Sequence, residues 1–178
     1  LDMESSQVDV QVQFLGGGFG RRLDVDFVGQ AAAIAAHVRG TPVQTIWSRE
    51  QDMTHDFYRP ACVSKFVAGL DPQGRLLAWH NTSASQAVIP QLLGRHFGLP
   101  IAGPDKTTAE GAFDQPYEWP AARIAHQKVD APIPIGPWRS VGHSHQAFFK
   151  ESFLDEVAHA AGQDPVAFRA SLLTHHPR

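Results

Sequence analysis

Cysteine is almost missing from this sequence: Cys62 is the only one in 178 residues. An internal disulfide and any multi-cysteine zinc or iron-sulfur site are thereby excluded, so stability must come from packing. Long apolar runs are missing too, since the small-residue stretch from Ala31 to Val38 falls well short of the ~20 residues a membrane span needs. An excess of one charge is also lacking. The formal net charge is -3, with acids and bases interspersed, which leaves no basic face for nucleic acid and no polybasic membrane anchor. Two nucleotide motifs are absent as well. G-x-G-x-x-G would need a glycine at position 21, where Arg21 stands, and G-x-x-x-x-G-K-[ST] fails at the same residue. No G-x-S-x-G elbow is present to support a serine hydrolase.

What is present is ample apolar material, 43% against 19% charged residues, enough for one domain or two small lobes. Val8, Val10, Val12 and Phe14 alternate with polar residues, which predicts a strand running into Gly16-Gly17-Gly18. A helix should follow Arg21-Arg22, with Asp24 and Asp26 at its positive end and Phe27, Ala31, Ile34 and Val38 as its apolar stripe, stopped by Gly40 and Pro42. Val43 to Trp47 reads as a second strand, closing a β-α-β unit. Val63 to Leu70 and Arg75 to Ser83 predict a hairpin turned by Asp71-Pro72-Gln73-Gly74.

Residues 87–119 carry scattered glycine and proline and little periodicity, so an irregular excursion with at most two helical turns is expected there. Ala122 to Val129 predicts another strand, and the prolines at 132, 134 and 137 force an extended stretch leading to Trp138-Arg139. From Ser144 a helix is expected with Phe149, Phe153, Val157 and Ala161 on one face. A last helix opens at Asp164-Pro165. The expected fold class is therefore mixed α/β (α+β), with two small sheet-plus-helix lobes, 1–58 and 59–178. The chain starts at Leu1 inside polar sequence and stops at Arg178, so both ends are expected to be cuts.

A glycine loop between a strand and a helix lets backbone amides approach an anion, and the helix end adds partial positive charge, which suits a phosphate or an oxo ligand. Taken alone, the loop serves equally well as a tight turn. His143-x-His145 and His175-His176 lack a third ligand at metal-like spacing, so no metal site is expected from them. Cys62 is expected to be a small buried hydrophobe.

Gly16 to Arg22 (GGGFGRR) resembles the GGGFG segment of the xanthine oxidase family, and two further landmarks follow in family order: Tyr58-Arg59-Pro60 before a hairpin, and Pro134 to Leu154 (PIPIGPWRSVGHSHQAFFKESFL). The resemblance covers nearly the whole chain except 87–119 and is closest in flavour to isoquinoline 1-oxidoreductase β subunits and bacterial aldehyde oxidoreductases. It implies an internal part of the molybdenum-cofactor-binding subunit, with residues 1–178 belonging to that domain. It places Gly18, Phe19 and Gly20 beside the metal's oxo ligand, counts Gly17 among the cofactor-binding residues, and puts the backbone of Arg139 at the molybdenum site. Arg59, Ser140, Val141 and Gly142 would line the substrate pocket.

Two departures bear on substrate. Arg21 stands where a second glycine is common, and Val141 where purine-oxidising members carry a ring-stacking phenylalanine, so xanthine is disfavoured. The family's glutamate base sits in a Gly-Glu-Pro context that this sequence lacks, so no catalytic residue is assigned and these residues alone should not turn over. By resemblance the cofactor is a molybdenum-molybdopterin, in bacteria usually the cytosine dinucleotide form. The 2Fe-2S clusters lie on a small partner subunit, the remaining partner is the rest of the large subunit, and the compartment stays open between bacterial cytoplasm and periplasm. The reading from another class is a non-catalytic α/β domain whose glycine loop holds a small anion or a partner chain.

Overall fold

The structure, a computed structural model, describes residues 3–99 and 105–176. Two compact units result, Leu1–Phe57 and Tyr58–Arg178. The described residues form six α-helices and a three-stranded sheet, so the mixed α/β class is the one observed.

The first unit holds α1 (Asp26–His37) and α2 (Arg49–His55). The two strands predicted there do not form: among the described residues of this unit there is no strand, and hence no β-α-β unit. Val12 and Phe14 are 90% and 108% exposed and Ile46 is 77% exposed. A strand is stable only when another strand takes its N–H and C=O groups, and among the described residues of this unit no strand pairs with residues 8–15 or 43–47. Helix α1 forms where the periodicity placed it, but Ile34 and Val38 of its expected stripe are exposed. Helix α2 was not anticipated. Its signal is the Ser48/Gln51 capping box, in which the Gln51 amide donates to the Ser48 hydroxyl at 3.2 Å and the Ser48 amide to Gln51 Oε1 at 3.1 Å.

In the second unit β1 (Cys62–Leu70) and β2 (Leu76–Ser85) form the predicted antiparallel hairpin, and β3 (Ala122–Lys128) joins β2 in parallel, giving the order β1-β2-β3. The turn works because Asp71 accepts from the amides of Gln73 and Arg75 through one carboxylate oxygen, while Gly74 takes the left-handed φ of +75°.

Residues 87–119, expected to be irregular, hold α3 (Val88–Phe97) and the short α4 (Lys106–Ala109). Pro90 sits in the first turn of α3, where its missing N–H has no helical partner to lose, and Gly98 ends the helix in the left-handed conformation. Residues 100–104 of this stretch lie outside the described residues.

Helix α5 (Val141–Ala160) begins three residues before the predicted start, and α6 (Pro165–Ser171) is capped by Asp164, whose carboxylate accepts from the Val166 and Ala167 amides. The buried line on α5 is Gly142, Gln146, Lys150, Leu154 and Ala158; of the predicted face Val157 is buried with it, Phe153 and Ala161 are half-buried against the core, and Phe149 is half-buried. The line is offset because the sheet face beneath it is apolar only at one end. There Leu76, Trp79, Leu154, Val157, Ala158, Phe168 and Leu172 make the core, with Phe153 stacked on Phe66 at 5.1 Å. At the other end α5 lays Gln146 and Lys150 against polar groups. The Lys150 ammonium donates to the Gly111 carbonyl at 3.2 Å, and burial lowers its pKa despite nearby Glu151.

Candidate functional site

The glycine loop lies in the first unit. Gly16, Gly17 and Gly18 have no left-handed φ, whereas Phe19 (φ 50°) and Gly20 (φ 88°) do. A single 3₁₀ turn, Arg21–Leu23, follows, with the Arg22 amide donating to the Gly18 carbonyl at 3.3 Å and the Leu23 amide to Gly20 at 3.0 Å. Non-glycine residues in this region are strained by roughly 1 kcal/mol or more and concentrate at functional sites. Phe19 folds its ring back over Gly17, where an added Cβ would stand 2.6 Å from the ring edge. At Gly16 a Cβ would meet nothing within 4 Å, and at Gly18 only ordinary contacts starting at 3.7 Å. Neither conformation nor internal packing therefore requires glycine at 16 or 18.

Arg21, read from sequence as a departure, proves to be the staple of this loop. It is 4% exposed, forks onto both carboxylate oxygens of Asp26 at 2.9 and 3.0 Å, and reaches Asp56 through Nε. Its guanidinium also lies 5.6 Å from the Trp47 ring and 5.8 Å from that of Phe57. Two carboxylates consume its charge, so Arg21 holds the loop together rather than offering a free cation. The available sequence signal was the acid at i+5; Asp56 is thirty-five residues away and invisible to local reading.

The other sequence-predicted residues meet in the second unit. Tyr58 and Ile135 form a parallel bridge, the Tyr58 amide donating to Pro134 at 3.2 Å and the Gly136 amide to Tyr58 at 3.0 Å. Ile135 is fully buried, its amide donating to Gln91 Oε1 and its carbonyl accepting from Arg95. So tethered, the proline stretch delivers Trp138 to Val141 into a turn closed by the Val141 amide on the Trp138 carbonyl at 2.8 Å. Ser140 (φ 71°) and Val141 (φ 36°) are both left-handed, and Gly142 starts the buried side of α5 against the Thr107 and Thr108 backbone. Arg59 donates through Nη2 to the Arg139 carbonyl at 3.0 Å and through Nη1 to the Ser144 hydroxyl at 3.1 Å. Arg59, Arg139, Ser140, Val141 and Gly142 are thus one cluster, while Gly17 to Gly20 belong to the other unit.

A polar group behind that cluster was missed. Asn81, Ser83 and Ser85 share the inward face of β2; His126 sits between Ser83 Oγ at 2.8 Å and Ser85 Oγ at 3.3 Å, and Gln146 Nε2 reaches Ser83 at 3.5 Å. The Asn-x-Ser-x-Ser alternation was its only trace, and polar alternation usually marks a solvated face. Burial lowers the pKa of both His126 and His145, for His126 against the pull of Asp105 and for His145 against its bond to the Thr108 carbonyl. The unfolded chain takes up protons near about 6.5 where these folded histidines resist, so their contribution to stability is present above that pH and lost as pH falls through it. Stability followed by urea unfolding is expected to drop from pH 7 toward 5, and His126→Gln to flatten that drop. A decline of the same steepness in the variant would contradict this.

Among the described residues no group of three His, Cys, Asp or Glu is placed to hold an ion. His143 lies 3.4 Å from Asp114, and His145 contacts the Thr108 carbonyl. Cys62 is half-buried, its thiol pushed up to about 11 by burial. No described helix is long and apolar enough to cross a membrane.

Residues 1–172 match the family model of the molybdopterin cofactor-binding domain. Among curated relatives, the chain is 29% identical to the isoquinoline 1-oxidoreductase subunit beta of Brevundimonas diminuta, covering 100% of this chain and 22% of that protein. It is 31% identical to a membrane-bound aldehyde dehydrogenase (pyrroloquinoline-quinone) of Gluconacetobacter polyoxogenes, over 100% of this chain and 24% of the relative. The chain therefore spans about a quarter or less of these relatives. Among solved structures, quinoline 2-oxidoreductase of Pseudomonas putida 86 superposes with a TM-score of 0.62 at 21% identity, over 87% of this chain and 19% of that one. The aldehyde oxidoreductase of Desulfovibrio gigas superposes with a TM-score of 0.64 at 21% identity, over 88% and 16%.

Proposed function

This chain belongs to the molybdopterin cofactor-binding domain family, and from that premise we propose that it builds one wall of the cofactor site in the large subunit of a molybdenum hydroxylase. The observation that carries the reading is the idle glycine: among the described residues a Cβ at Gly16 would meet open space and one at Gly18 only ordinary contacts from 3.7 Å, so packing asks for glycine at neither. Such space suits a group brought from outside, and donors made of backbone amides suit oxo and phosphate oxygens. In this reading the amides of Gly17, Gly18, Phe19 and Gly20 in the first unit would serve the cofactor's oxygens, and the Arg139 backbone in the second unit would be a further cofactor contact. Ser140, Val141 and Gly142 line the path of the substrate.

When bound, the molybdenum-pterin supplies the redox chemistry that hydroxylates an electron-poor carbon with oxygen drawn from water. The chain's own part is orientation and exclusion of water. Donors held by a stapled loop need not reorganise as charge develops on the oxygen they face. Val141 offers an aliphatic wall with no ring to stack on a purine, which favours an N-heteroaromatic such as isoquinoline or an aldehyde. The base, the cytosine dinucleotide form of the pterin and a small 2Fe-2S subunit belong to the proposal and lie beyond these residues. The rest of the large subunit would cover the exposed extended segments 8–15 and 43–47.

The test is turnover of the complete enzyme on isoquinoline and on benzaldehyde. Oxidation of isoquinoline in heavy-oxygen water is expected to label the product, while benzaldehyde is followed by turnover alone because its hydrate exchanges oxygen. Failure on both probes would remove the substrate assignment.

A further inference from the structure

By resemblance Arg59 would touch the substrate, but both of its terminal nitrogens are engaged within the chain. Nη2 donates to the Arg139 carbonyl at 3.0 Å and Nη1 to Ser144 Oγ at 3.1 Å, and Ser144 Oγ itself donates to the same carbonyl at 3.3 Å. That carbonyl belongs to the residue directly before Ser140 and Val141, both left-handed and neither glycine. Such conformations persist only where the surroundings over-determine them. Three constraints act on this turn: the Val141 amide on Trp138, the wedge of Gly142 against Thr107 and Thr108, and the Arg59 fork. Arg59 is well placed to act as a brace because its neighbour Tyr58 is bonded on both sides to Pro134 and Gly136.

We infer that Arg59 is a positioning residue, holding the strained Arg139–Gly142 turn by its carbonyl, and reaches the substrate only through that turn. The inference rests on the proposed function insofar as the turn lines the site. A planar guanidinium can serve the carbonyl and the hydroxyl at once in fixed geometry, whereas an ammonium is a single point. Lysine should therefore support the turn only in part.

The experiment is hydrogen exchange by mass spectrometry on the complete subunit, comparing wild type with Arg59→Ala, Arg59→Lys and Ser144→Ala. Amides of residues 140–143 are expected to exchange about tenfold faster in Arg59→Ala, the size of one lost charged hydrogen bond, and several-fold faster in Arg59→Lys. Residues 154–158 of α5 should stay protected in all three, showing that the fold persists. Combining Arg59→Ala with Ser144→Ala should add less than Ser144→Ala does alone, because both act on one carbonyl. Unchanged exchange in Arg59→Ala would overturn the inference, as would a rise in KM for an oxidised probe with exchange and kcat unchanged. Molybdenum content of the wild type separates the two readings: a metal-free subunit whose turn loosens in Arg59→Ala removes the cofactor proposal and leaves the brace standing.

Discussion

Gly142→Ala is expected to destabilise the second unit by about 3 kcal/mol, at the upper end of what overpacking costs. The added Cβ would overlap the Thr107 carbonyl oxygen and lie 2.9 Å from the Thr108 carbonyl carbon. These are backbone atoms of α4, and α4 cannot yield cheaply. Asp105 accepts from the Thr107 amide at 3.0 Å and the Thr107 hydroxyl at 2.6 Å, and its second oxygen accepts the Ile89 amide at 3.0 Å. Nor can α5 back away, because Gln146 and Leu154 on the same face are fully buried. In the complete subunit the amides of α5 should then exchange on the order of a hundredfold faster, at roughly 1.4 kcal/mol per decade. Gly94→Ala is the control: its Cβ would meet only the Leu99 carbonyl at 3.9 Å, and replacing a helical glycine should stabilise by about 0.5–1 kcal/mol. Equal exchange in Gly142→Ala and wild type would refute the wedge.

The second large effect is expected at Arg21. Removing one member of a buried ionic group leaves the others uncompensated, at about 3–5 kcal/mol in full burial. The side chains of Asp26 and Asp56 are 27% and 11% exposed and can partly rehydrate, so Arg21→Ala should cost the first unit about 2–3 kcal/mol. Burial raises the Asp26 carboxyl, but its hydrogen bonds and charge contact with Arg21 outweigh that and leave its pKa lowered. The resulting stability is present above the ordinary aspartate value near about 4 and lost as pH falls through the folded one. Arg21→Ala should remove that acid dependence along with the stability, as read by proteolysis of residues 16–57 at about pH 7 and, with an acid-active protease, at about pH 2.5. A variant as resistant as wild type at both would contradict the staple.

Elements whose reasons are local were legible in the sequence. The hairpin turn, the Asp164 cap and the proline stretch before Trp138 each depend on residues within a few positions. The segments 8–14 and 43–47 were misread because alternation reports only what a strand would present to a core and says nothing about whether a partner strand is supplied. Helix α3 was obscured by Pro90 and Gly94, which break helices in general but sit here in a first turn and on an uncrowded face. At the site, the two loops could be found as motifs. What joins their parts could not, since Arg21 with Asp56 and Arg59 with Arg139 are contacts over thirty-five and eighty residues. The polar patch under Gln146 was hidden because buried serines and asparagine look like a solvated strand face.

The central claim is that the glycine loop around Gly16 and Gly18, where this unit's own packing does not ask for glycine, is kept clear for a cofactor. Molybdenum content of the complete subunit, purified from a host that makes the cofactor, is the most direct measurement of it for wild type and Gly18→Val. Valine there has no left-handed backbone to adopt and its Cβ meets nothing closer than 3.7 Å, and hydrogen exchange of α1 checks that the unit keeps its fold. The account predicts near-stoichiometric molybdenum in the wild type and at least tenfold less in Gly18→Val, with hydrogen exchange of α1 the same in both. Wild-type subunit without molybdenum, or Gly18→Val that retains it in full, would contradict the account.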